Sequence, residues 1–271
     1  MSTVRPHPSY VTRRNAVRIV RGADPRPVVF SHGFGCHQGV WSQVIERLQC
    51  DRTLVLIDFV GAGSSDVSLY CSERYATLDG YARDLVDLLE AFDWGDVTLV
   101  GHSVGATIAM LASLDVPERL RRLVLVAPSP CYMNVGDYHG GFEPDDLRDL
   151  VDALRGGVVD WARALAPAVM GNAERPELAR ELADDFCRYD PDILQEFAHV
   201  TFLSDHREIV PRVGTRATIL QCCDDAIAPE SVGRFLHAAM ADSELVRLAA
   251  TGHCPQVSAP DELAARLRDA L

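Results

Sequence analysis

Apolar residues along this chain fall into two alternating kinds of run. Val28-Val-Phe-Ser31, Thr53-Leu-Val-Leu-Ile57, Val97-Thr-Leu-Val100, Leu120-Arg-Arg-Leu-Val-Leu-Val126, Ala217-Thr-Ile-Leu-Gln221 and Glu244-Leu-Val-Arg-Leu248 are short and nearly continuous, as strands buried on both faces are. Between them, apolar positions recur at helical spacing: Val40, Trp41, Val44, Ile45 and Leu48 in 38–48, then Leu78, Tyr81, Ala82, Leu85, Leu88 and Leu89 in 78–92. Strand and helix in alternation predict a mostly parallel sheet covered on both sides. Tyr10–Asn15 and Ala16–Arg21 alternate weakly and read as an edge hairpin, with Asp24-Pro-Arg-Pro27 as the following turn.

From about Cys131 to Gly214 strand runs vanish and amphipathic segments take over, around 143–154, 158–168, 176–187 and 190–204. Pro144, Pro176 and Pro191 stand where three of these helices would begin, each with an acidic residue in the following turn. The strand pattern then resumes, so the helices read as a lid inserted in one core: residues 1–130 and 215–271 form the core, 131–214 the lid.

The 271 residues suffice for one large domain. A net charge of −13, with arginines scattered singly, argues against a nucleic-acid or anionic-membrane partner. No apolar run reaches the length of a membrane span, and the start, Met1-Ser-Thr-Val-Arg-Pro-His-Pro, lacks a signal core. Eight cysteines form no CxxC pair or ligand spacing. A cytoplasmic protein with free thiols and no metal is expected.

Chemistry enters at Gly101-His-Ser-Val-Gly105, a G-x-S-x-G between a strand and an apolar helix. In that setting Ser103 sits on a strained turn, and the Val104 amide at the helix start can face a developing oxyanion. A serine nucleophile needs a base and an acid from loops after later strands, in the order Ser, acid, His. His253 follows the last strand. Asp224 and Asp225 both follow the strand ending at Gln221, and Asp225 is favoured because the loop then turns into a helix. His32-Gly-Phe-Gly35 offers the Phe34 amide as a second oxyanion donor. An aspartate nucleophile of the dehalogenase kind is excluded by serine at 103, and Gly61-Ala-Gly63 lacks phosphate-loop spacing.

These residues, with His32-Gly-Phe-Gly-Cys-His-Gln38 and Trp41, 58–66, Ser129-Pro-Cys-Tyr-Met-Asn134, Gly140-Gly-Phe142, Trp161-Ala162, Ala166-Pro167, Met170-Gly171 and Gly252-His-Cys-Pro255, resemble the RsbQ-like group of α/β-hydrolases. That group takes in bacterial stress-signalling hydrolases and the plant strigolactone and karrikin receptors. The resemblance implies an eight-stranded α/β-hydrolase sheet under a four-helix lid. It implies Ser103, Asp225 and His253 as a triad, the Phe34 and Val104 amides as oxyanion hole, and no cofactor. The substrate implied is a small hydrophobic ester or butenolide, turned over slowly; a PAS-domain phosphatase is the implied regulatory partner. Tyr132, Trp161 and Phe197 are the expected pocket aromatics. Gln256 departs from the group, where histidine or leucine is usual, and bears on ligand preference.

Overall fold

The computed structural model describes residues 5–271; residues 1–4, where the reading for a leader began, lie outside the described residues. The chain opens with α1 (Pro8–Arg14) and the short strand β1 (Arg18–Val20). A helix and one strand thus replace the expected hairpin. Pro8 stands at the first helical turn, where its missing N–H costs nothing, and the His7 side chain accepts from Ser9 N. Val11 and Arg14 are the residues that α1 buries. The Arg14 guanidinium reaches Asp84 at 3.1 Å and Asp87 at 2.9 Å, both on a later helix. That distant partner outweighs the weak local alternation.

Then come β2 (Asp24–Ser31), α2 (Ser42–Leu48), β3 (Arg52–Leu56), α3 (Leu78–Ala91), β4 (Val97–His102), α4 (Val104–Asp115) and β5 (Leu120–Val126). Four helices follow: α5 (Pro144–Ala153), α6 (Val158–Met170), α7 (Pro176–Phe186) and α8 (Pro191–Phe202). The chain closes with β6 (Ala217–Asp224), α9 (Glu230–Ala239), β7 (Ser243–Thr251), α10 (Pro255–Ser258) and α11 (Pro260–Ala270).

Among the described residues the sheet has seven strands, not eight, in the order β1-β3-β2-β4-β5-β6-β7. β1 runs antiparallel to β3, and the other pairs are parallel. Within the continuous apolar runs, period-two alternation sorts residues to opposite faces. Val29, Val55, Leu99, Leu123, Leu125 and Ile219 pack with α3, α4 and the four inserted helices. Val28, Phe30, Leu54, Leu56, Val100, Val124 and Leu220 pack with α2 and α11. Because β2, β4, β6 and β7 run parallel, the loops that leave them emerge along one edge of the sheet, where ligands bind in open parallel sheets.

Candidate active site

Ser103 links β4 to α4 with φ 56° and ψ −124°, a conformation strained for a residue with a Cβ. The turn closes because its neighbours are glycines: a Cβ on Gly105 would stand 2.5 Å from the His32 carbonyl oxygen, and one on Gly101 2.4 Å from that of Gly105. Ser103 Oγ is left 2.7 Å from His253 Nε2. His253 Nδ1 in turn lies 2.8 Å from Asp225 Oδ2. The carboxylate only accepts, so Nδ1 carries the proton and Nε2 accepts from the serine hydroxyl. Asp225 Oδ1 is pinned by the amides of Ile227 at 2.9 Å and Ala228 at 3.0 Å. Asp224 is exposed on the end of β6, so of the two aspartates left open by the sequence only Asp225 meets the histidine. His253 N–H donates to Val169 O of α6 at 2.8 Å, tying the imidazole's backbone to the inserted helices.

On the other side of the serine, Tyr132 Oη lies 3.0 Å from Ser103 Oγ. Burial pushes the phenol up, so it stays protonated as a donor. Its strand-like segment is held by Phe142 N–H donating to Tyr132 O at 3.1 Å, and by Thr107 Oγ1 donating to Ser129 O at 2.7 Å. His102, beside the serine, is fully buried; burial chiefly, then His253, pulls its pKa down to about 3. It is a neutral structural ring whose Nε2 donates to His253 O at 2.8 Å.

The Phe34 amide follows β2 and has no acceptor among the described residues, while Val104 starts α4. Tyr189 Oη donates to Cys36 O and steadies this loop. The Phe34 ring is wedged among Trp161, Phe186, Phe197 and Phe202, with centroids 5.1 to 6.1 Å away. Above Ser103 and His253 lies a largely apolar cavity walled by Phe34, Phe142, Leu165, Val169, Phe186 and Phe202. It offers ≈ 30 Å³ to the centre of a water-sized sphere, room for about two waters. Trp161 and Phe197 pack behind Phe34 rather than along this cavity, and Tyr132 approaches the serine itself. Phe186 and Phe202 line it instead, because helical periodicity does not say which inward ring reaches the cavity. Gly35 makes room for the Phe186 ring, since a Cβ there would stand 1.8 Å from it, a pairing visible only in the structure. Among the described residues no group of three or more His, Cys, Asp or Glu could hold a metal ion.

The model of the alpha/beta hydrolase family matches residues 28–266. The karrikin insensitive 2 receptor CA of Petunia hybrida is 37% identical over 89% of this chain and 90% of its own length. A strigolactone esterase of Arabidopsis thaliana is 34% identical over 94% of this chain and 95% of its own. The solved structure of a hydrolase from Oleispira antarctica superposes with a TM-score of 0.95 at 36% identity, covering 99% of this chain and 98% of that one. A family match from β2 into α11, and relatives this similar along nearly the whole sequence, establish that the chain belongs to the alpha/beta hydrolase family.

Proposed function

We propose that this chain is a serine hydrolase of small hydrophobic esters or lactones, butenolides included. The observation that carries the proposal is the run of hydrogen bonds from Ser103 Oγ through His253 to Asp225, at 2.7 and 2.8 Å. In the proposed reaction His253 Nε2 takes the Ser103 proton as Oγ attacks the carbonyl carbon. Asp225 holds the tautomer and steadies the imidazolium. The Phe34 and Val104 amides donate to the tetrahedral oxyanion, each such donor supplying about 3 kcal/mol. The imidazolium then protonates the leaving oxygen; water, activated by the same histidine, attacks the acyl-enzyme and releases the acid.

The cavity's size and apolar walls favour a short acyl group, and residues 131–214 act as the lid that must move to admit it. Slow turnover follows from that closure. Ser103→Ala is expected to lower hydrolysis of short acetate esters by at least about a thousandfold with an unchanged melting temperature. Activity above a tenth of wild type would contradict the assignment.

A second reading, a ligand sensor that engages a regulatory protein such as a phosphatase with little turnover, is favoured by one contact. The bond from His253 N–H to Val169 O gives the state of the catalytic histidine a path into α6. A ligand-dependent complex that forms equally with Ser103→Ala would support it.

A further inference from the structure

The proposed acyl transfer makes no use of a groove between the inserted helices α6 and α7, which measures ≈ 510 Å³ where the cavity over Ser103 measures ≈ 30 Å³. The two helices pack together and are joined by residues 171–175. Pro167, Met170, Pro176 and Ala179 make the groove's walls apolar. Arg163 of α6 and Arg180 of α7 line it as well, and no aspartate or glutamate does. Both arginines are exposed. Arg175 and Arg188, which flank α7, are engaged by Asn172 at 2.6 Å and by Asp185 at 2.7 Å, whereas Arg163 and Arg180 have no bonding partner among the described residues. In a chain of net charge −13, two uncompensated cations thus border one apolar groove. At the helical rise, Arg180 stands about 6 Å along α7 from Pro176, and Arg163 about 10 Å along α6 from Met170. The cations lie away from the connection, and apolar wall fills the interval.

Size and position say what the groove takes. Ten residues line it, where a stable protein interface needs about 20 to 30 a side, and its volume is that of a small-molecule pocket. Its floor rests on the catalytic loop. Val169 O accepts from His253 N–H at 2.8 Å, and Asn172 Nδ2 donates to Thr251 O at 3.0 Å. A Cβ on Gly252 would stand 1.9 Å from Met170 O, so backbone meets backbone there with no side chain between. A displacement of Met170 or Gly171 is passed directly to Gly252 and His253.

We propose that this groove is an effector site for a carboxylate with an aliphatic chain of medium length, and that the catalytic loop responds to its occupancy. Arg163 and Arg180 hold the carboxylate, whose planar pair of oxygens suits a guanidinium. The chain lies along the apolar wall toward Met170 and Pro176. Binding of this kind requires no reaction at Ser103, so it stands apart from the hydrolase reading.

The amide NMR spectrum of the full chain tests this, titrated with octanoate and, separately, with the uncharged octanol. Octanoate is expected to bind about tenfold more tightly than octanol and to weaken as ionic strength rises. It should shift the amides of residues 163–183 and that of Gly252 along one saturation curve. In the double variant Arg163→Gln, Arg180→Gln, with its melting temperature unchanged, affinity is expected to fall about tenfold and both sets of shifts to be lost together. Equal binding of octanoate and octanol to the wild type overturns the proposal without recourse to any variant. An octanoate affinity that the double variant retains overturns it too, because the ligand then sits elsewhere, in the cavity over Ser103 if the Gly252 shift also survives. A Gly252 amide that stays still while the groove amides move overturns the effector role. Groove amides that move on dilution of the protein alone would assign the groove to a second copy of this chain instead.

Discussion

Ser103 Oγ has two partners on opposite sides, His253 Nε2 at 2.7 Å and Tyr132 Oη at 3.0 Å. The imidazole nitrogen accepts the serine proton, so the phenol donates to the serine oxygen. In the proposed reaction such a donor fixes the rotamer from which Oγ would attack, and it would lose its role once Oγ was acylated. Tyr132→Phe removes one hydrogen bond of about 1 kcal/mol, and kcat for short esters is expected to fall about fivefold to tenfold with KM nearly unchanged. A rise in KM alone, measured in the same steady-state series, would make Tyr132 an ordinary wall residue. The tyrosine stood out in the sequence as a member of the Ser-Pro-Cys-Tyr-Met-Asn stretch and as an expected pocket aromatic; its meeting with the serine depends on the loop after β5, which no local pattern encodes. The serine, aspartate and histidine were legible because each follows an apolar strand whose end can be read directly. Trp161 and Phe197 were chosen from a helical segment that carries several aromatics, and the rings of that segment that line the cavity are others, Phe142, Phe186 and Phe202.

At the scale of elements, the strands from β2 to β7 were readable because burial on both faces leaves continuous apolar runs, and the four inserted helices because of their amphipathic spacing, with a proline marking the start of three of them. Of the expected edge hairpin, the strand in 16–21 is present as β1, whereas 10–15 was misread, for a reason that lies far along the chain. Arg14, 1% exposed, stabilises α1 by pairing with Asp84 and Asp87 of α3. Burial pushes the Asp84 carboxyl up in spite of Arg14 and Arg74, so the pair is strained by desolvation and depends on both cations. Arg14→Met is therefore expected to cost about 3 kcal/mol in urea unfolding, with α1 lost from hydrogen-exchange protection before the rest of the sheet. A cost under about 0.5 kcal/mol, the level of an exposed pair, would mean that the buried network does not hold α1.

The whole molecule carries buried neutral histidines under an enclosing helical segment, and acid acts on it through them. His102 is held down to about 3, and burial also lowers His32. Unfolding returns such a ring toward its ordinary value of about 6.5, so between these values the unfolded chain binds more protons than the folded one. Stability is complete above about pH 6.5 and is lost as pH falls toward about 3. His37, raised by Asp185, acts in the opposite direction, but it is half-exposed and weakly coupled. Urea midpoints at about pH 7 and about pH 4.5 should therefore drop steeply in the wild type and less steeply in His102→Gln; parallel lines would mean that His102 is not the group that titrates. On the proposed reaction, the fate of a bound acyl group is the clearest reading of the site under this enclosure. Intact-protein mass spectrometry after brief exposure to a short acyl ester, on wild type and Ser103→Ala side by side, tests the central claim most directly. The account predicts a transient adduct of one acyl group on the wild type, mapping to Ser103, and none on the variant. An equal adduct on both proteins, or ester turnover with no dependence on Ser103, would contradict it.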